Sequence, residues 1–223
     1  MTKRRIAALS IRRGWPGAML LAASALAATW FAIAGGIVFH VDSDSFFSYA
    51  TGLAAELRTA PYFRAIGYPI LIVLTGYPWT KSLVPLLGLQ ATFAALTPWL
   101  AFKAFGLVDR AAGILAGAVC LASLTPFFFQ NAFYHDGASL FFGFLSVTFA
   151  AYAFATHKPV YQYLSLISAA FAYLVLPVVI GFFIGCAAAL MIWALYSRAP
   201  LTHFIASLCL SLAVMIGASL FQT

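Results

Sequence analysis

Three carboxylates are the side chains best suited to chemistry in this sequence. Asp42 and Asp44 stand two residues apart just after the first long apolar run, and Asp136 follows His135 in a short polar stretch further on. Two such carboxylates brought together could act as general base and as ligand to a hard cation. His40 and His135 add two imidazoles. His40, Asp42, Asp44 and Asp136 therefore make a candidate metal set, with a divalent ion as candidate cofactor, although their spacing matches no tight metal motif. Arg64 is the most informative cation, because a guanidinium can grip two phosphate oxygens at once. Each group has a plainer reading: solvated loop carboxylates, and an arginine that snorkels to lipid headgroups or balances Glu56. Economy favours chemistry, since the 223 residues hold only five acids and three of them are these.

The elements that must position these groups are set by composition. Hydrophobic residues make up 64% of the chain and charged ones 8%, too few to give a soluble domain its polar skin. Spans need roughly 20 largely apolar residues each, and the hydropathy pattern predicts an all-α integral membrane protein of about seven transmembrane helices in a single domain, 1–223. The expected spans are about 15–39, 82–105, 111–129, 138–156, 160–177, 178–196 and 201–221. Pro177 and Gly181 divide the long apolar block into the fifth and sixth.

The net charge of +7 invites a nucleic-acid reading, but five of the twelve cations (Lys3, Arg4, Arg5, Arg12 and Arg13) precede the first apolar run. That is an orientation signal, so no nucleic-acid partner is expected. The first run is too long for a signal-peptide core and is read as a retained span. With the N-terminus in the cytoplasm, nine of the twelve Lys and Arg fall inside, and four of the five acids fall outside. The C-terminus is then extracytoplasmic, in what is expected to be a bacterial inner membrane.

The stretch 41–81 becomes an exoplasmic loop. Phe46, Ala50, Leu53 and Leu57 recur in it at helical spacing, predicting an amphipathic helix on the membrane surface, and Pro69 to Thr75 reads as a re-entrant or interfacial piece. The pairs Gly113/Gly117 and Gly181/Gly185 predict close helix packing. Ser, Thr and Gln90 inside spans are expected to hydrogen-bond locally. Cys120, Cys186 and Cys209 read as small hydrophobes.

Taken in order, these stretches resemble the GT-C superfamily of polytopic glycosyltransferases, and most of all bacterial relatives of dolichyl-phosphate-mannose protein mannosyltransferases. The acidic motif after the first span is Asp42-Ser43-Asp44-Ser45-Phe46-Phe47, followed by Tyr49-Ala50 and Leu53-Ala54. An R-x-P-G-Y-P-like element is present as Arg64 to Pro69, with Ile66 where Pro is usual. Leu89-Gln90, Pro126 and Asp136 with Ser139, Leu140 and Phe141 complete a likeness over roughly 40–160. It departs at Leu176-Pro177, where relatives carry Arg-Pro.

The resemblance implies transfer of a sugar from a polyprenyl-phosphate donor to an acceptor on the extracytoplasmic face. Asp44 or Asp42 would be the base and Asp136 a second catalytic acid. Arg64, Tyr68 and His135 would bind substrate. Relatives are longer, which implies an N-terminal module, active alone or completed by a membrane-protein partner. The alternative is a non-catalytic accessory or scaffold subunit on the same fold.

Overall fold

The computed structural model describes residues 14–39, 43–56, 66–133, 135–197 and 200–220. The N-terminal basic cluster, His40, Asp42, Arg58, Arg64 and Arg198 lie outside them, as does the side chain of Glu56. In chain order the helices are α1 (Gly14–Ala34), α2 (Ser43–Glu56), α3 (Gly67–Leu74), α4 (Tyr77–Thr80), α5 (Val84–Gly106) and α6 (Arg110–Ala122). They continue with α7 (Thr125–Gln130), α8 (His135–Thr156), α9 (Pro159–Val175), α10 (Ile180–Tyr196) and α11 (Leu201–Leu220). Helices satisfy their own backbone groups, which apolar surroundings demand. Several start on a proline in the first turn, where a missing N–H costs nothing: α4, α5, α7 and α9. Asp109 caps α6 instead, accepting the Ala112 amide at 3.0 Å, which gives the one acid expected inside a structural role.

Five helices among the described residues are long and apolar enough to cross a bilayer, rather than the expected seven: Trp15–Ala34, Val84–Gly106, His135–Thr156, Pro177–Tyr196 and Leu201–Ala218. The fold is an all-α membrane bundle. Helix α5 packs against α1, α6 and α8, and α8 lies along α9, which also meets α10 and α11. Serines join the second group: Ser165 Oγ donates to the Ser146 carbonyl at 2.9 Å, and the Ser146 hydroxyl lies 3.5 Å from Cys186 Sγ.

The expected third span, 111–129, is broken. Helix α6 ends at Ala122, Leu124 turns left-handed with φ 56°, and α7 restarts at Thr125. A proline cannot donate to the carbonyl four residues back, and its ring crowds that turn, so Pro126 ends the helix. Its 13 residues reach only about 20 Å, short of a hydrocarbon core near 30 Å. Ser123 Oγ donates to the Cys120 carbonyl at 2.8 Å, re-satisfying a carbonyl left near the break. Helix α9, at 17 residues, is the other element short of a full span. The division at Pro177 holds, as a 3-10 turn over Pro177–Val179.

The amphipathic helix is present as α2, but Phe46 and Ala50 are buried against protein. Phe46 meets the Tyr68 ring edge-on at 5.2 Å, and Phe47 packs on Tyr77 and Phe133. The apolar piece after it folds as α3, whose Gly67 abuts the end of α9. A Cβ at Gly67 would stand 2.6 Å from Leu174 and Val175 backbone atoms. Of the two Gly pairs, Gly113 and Gly117 do pack closely, against Gly106 and Pro98 backbone and the Leu20 side chain. A Cβ added at Gly181 or Gly185 would meet nothing within 4 Å, so that face of α10 is open among the described residues.

Candidate functional site

Two acidic elements far apart in sequence meet at one end of the bundle. Asp44 lies exposed in the first turn of α2, and Asp136 in the first turn of α8. A helix start has a structural use for a carboxylate, because its unpaired amides favour negative charge. The neighbourhood goes further. Ser43 Oγ donates to the Phe133 carbonyl at 3.3 Å, and the Phe46 ring lies 5.4 Å from the His135 imidazole. His135 Nδ1 stands 3.7 Å from Asp136 Oδ1. The turn carrying Asp44 is thus seated on the segment that leads into Asp136.

Asp136 also lines the mouth of a cleft of about 420 Å³, within the range of small-molecule sites. Ser139, Leu140, Gly143, Phe144 and Val147 continue it along one face of α8, Ala172, Leu176, Val179 and Phe182 form the facing wall, and Thr125 and Phe129 of α7 close it. From Asp136 to Val147 the face runs about 16 Å along the helix axis. The lining is mostly apolar, with one carboxylate, Asp136, at one end and the hydroxyls of Thr125 and Ser139 as its other polar side chains. That arrangement suits an amphiphile, with its chain inside and its head at Asp136.

Tyr68 sits deeper than a surface contact would. It is 1% exposed and its hydroxyl accepts from Gln90 Nε2 at 2.8 Å. Burial pushes the phenol's pKa well above its ordinary value, against a smaller opposing effect of the Gln90 hydrogen bond. Gln90 therefore bonds across helices rather than locally. Its Oε1 has no partner among the described residues.

Of the candidate metal set, His40 and Asp42 lie outside the described residues, as does Arg64. Among the described residues no group of three His, Cys, Asp or Glu could hold a metal ion.

Sequence reasoning assigned no role to Thr125, Gly143 or Phe182, and none to the latch beside the site. Gln130 Nε2 donates to the Ala28 carbonyl at 2.6 Å, Asn131 Nδ2 donates to the Phe31 carbonyl, and the Val38 amide donates to the Asn131 carbonyl at 2.9 Å. These bonds tie α1 to the segment before α8. The recurrence of Ser139, Leu140, Gly143 and Val147 at helical spacing after Asp136 was the available signal for the cleft.

No family model, curated protein or solved structure matches this chain.

Proposed function

We propose that the chain is a membrane glycosyltransferase, or the N-terminal module of one, acting on a polyprenyl-phosphate-linked sugar at the extracytoplasmic edge of the bilayer. One observation carries the reading: Asp136 at the mouth of a long apolar cleft, beside the seated turn that bears Asp44. A lipid-linked donor needs an apolar groove for its carrier and a hydrated polar group where the bond is exchanged. In this reading Asp44 takes the proton of an acceptor hydroxyl, whose oxygen bonds to the anomeric carbon. The bond from that carbon to the carrier phosphate breaks, and its electron pair leaves on the phosphate, held by Arg64. Asp136 and His135 bind the sugar at the cleft mouth, with Asp42 as the alternative base. Tyr68 acts by holding α2 and α3 in place.

The open Gly181/Gly185 face of α10 favours a second reading, because membrane helices use small residues to approach one another. There the chain is an accessory subunit of a membrane complex.

The test is transfer from polyprenyl-phosphate-linked hexoses and pentoses by the full chain in proteoliposomes. Asp44→Asn is expected to lower turnover about 10²–10⁴-fold, as loss of a general base does. Wild-type protein that turns over none of these donors, yet co-purifies with a membrane partner through α10, would replace this reading with the second.

A further inference from the structure

The chain segments that deliver Asp44 and Asp136 are fastened to one short turn, at 131–133. The turn itself leads into α8, whose first turn carries Asp136. The other segment leaves α1 after Ala34 and leads to α2, whose first turn carries Asp44.

Asn131 holds that second segment from two sides. Its Nδ2 donates to the Phe31 carbonyl in the last turn of α1, and its own carbonyl accepts the Val38 amide at 2.9 Å. The Phe31 carbonyl also takes the Gly35 amide at 3.0 Å, so the bond is made where α1 stops. Only a glycine leaves room for it: a Cβ on Gly35 would stand 2.7 Å from both partners, Asn131 Nδ2 and the Phe31 oxygen. The Phe39 ring follows, 5.7 Å from Phe133 and 6.4 Å from Phe47. The Phe133 carbonyl then accepts Ser43 Oγ at 3.3 Å, one residue before Asp44.

The turn is strained. Phe133 has φ 21°, outside the regions open to a bulky L-residue, and it is fully buried. Such strain persists only where the surroundings over-determine the backbone, and it gathers at functional sites. Here those surroundings are Phe39 and Phe47 against the ring, Ser43 on the carbonyl and Asn131 two residues earlier. Asn131 is 5% exposed, and an aspartate of the same shape would lack its donating N–H.

We infer that Asn131 is a positioning residue of the site: it ties the exit of α1 to the turn before α8 and so sets the spacing of Asp44 from Asp136. Its part in catalysis rests on the proposed transferase reading, whereas the placement does not. Buried in the turn, it acts through the backbone and not on substrate. A misplacement of about 1 Å between reacting groups costs about 10²-fold in rate.

Placement is read on the full chain in lipid nanodiscs, with its four histidines isotope-labelled and assigned by substitution. The Phe46 ring, 5.4 Å from the His135 imidazole, displaces that resonance from the ordinary histidine position. Asn131→Ala and Asn131→Asp are expected to move it back toward that position in chains that thermal unfolding shows to be folded. Gly35→Ala disturbs the same bond with Asn131 in place and should give the same shift. A His135 resonance that stays put in the folded variants overturns the inference. Loss of folding in all three does so too, since the bond would then serve the fold alone.

The catalytic part is read as sugar transfer from polyprenyl-phosphate-linked hexoses in proteoliposomes. In the folded variants kcat should fall about 10–10²-fold with KM little changed, because the reacting groups are displaced and not removed. A kcat that only tracks the folded fraction overturns the catalytic part. No transfer by the wild-type chain removes the transferase reading, and the His135 resonance then decides the placement by itself.

Discussion

The ring of Phe46 stands 5.4 Å from the imidazole of His135, tilted by 49°, and joins two segments nearly ninety residues apart in the chain. Phe46 is 1% exposed and also meets Tyr68, so it ties the turn carrying Asp44 to the start of α8. Truncating such a ring leaves a cavity costing about 3–5 kcal/mol. Phe46→Ala is expected to lower stability by that amount in detergent unfolding. Donor turnover should fall further than the folded fraction does, because both carboxylates remain but lose their mutual placement. Turnover that tracks the folded fraction would leave Phe46 with a packing role alone.

Tyr68 and Gln90 should behave as a unit. Tyr68→Phe leaves the Gln90 amide buried without its acceptor, at a cost of about 1–3 kcal/mol. The double change Tyr68→Phe with Gln90→Leu removes both polar groups and should recover most of that loss. Thermal unfolding of the two single variants and the double variant checks this, and a double loss equal to the sum of the two single losses would mean the bond carries no coupling.

The same tyrosine sets an alkaline limit. Its pKa is raised in the fold by burial, whereas in the unfolded chain it ionises near 10. Above about pH 10 the unfolded state holds fewer protons than the folded one, so stability falls as pH rises. The Tyr68→Phe, Gln90→Leu variant should show a shallower fall over that range in pH-dependent unfolding.

Two glycines separate packed from open helix faces. Gly67→Ala must push apart α3 and the end of α9, where Leu174 and Val175 backbone lies 2.6 Å from the added carbon. A loss of about 1–3 kcal/mol is expected. Gly185→Ala meets nothing among the described residues and should be neutral or stabilising by up to about 1 kcal/mol from helix propensity. A destabilised Gly185→Ala in the membrane, but not in detergent, would point to a partner helix on that face.

The acids should divide by role. Asp109→Ala removes the α6 cap and should cost about 1 kcal/mol while leaving donor turnover unchanged. Asp136→Asn should do the reverse, sparing stability and weakening donor binding at the cleft mouth. Parallel unfolding and turnover measurements separate them, and an Asp136→Asn protein with wild-type KM would take that residue out of the site.

Local patterning alone was enough for the membrane class, for most helix positions and for the division at Pro177, because each depends on stretches of consecutive residues. Apolar length demands self-satisfied helices, and a proline stops a turn whatever surrounds it. Pro126 carried the same message for the third span. Its uniformly apolar surroundings hid the break, since hydropathy measures length and does not register backbone hand. The helical period of α2 was legible, but its partner was not: an apolar face looks the same whether it meets lipid or Tyr68.

The chemistry divides along the same line. The sequence by itself determined which residues are scarce and ionisable, and that Asp44 and Asp136 each stand in a polar stretch after an apolar run. Only the tertiary structure decided that the turn bearing Asp44 is seated beside His135 and Asp136, and that a cleft runs inward from that point. Those facts depend on contacts across some ninety residues, Ser43 with Phe133 and Phe46 with His135, and on a helix break at Leu124. Such contacts are chosen by how the helices pack in three dimensions, which no window of neighbouring residues encodes.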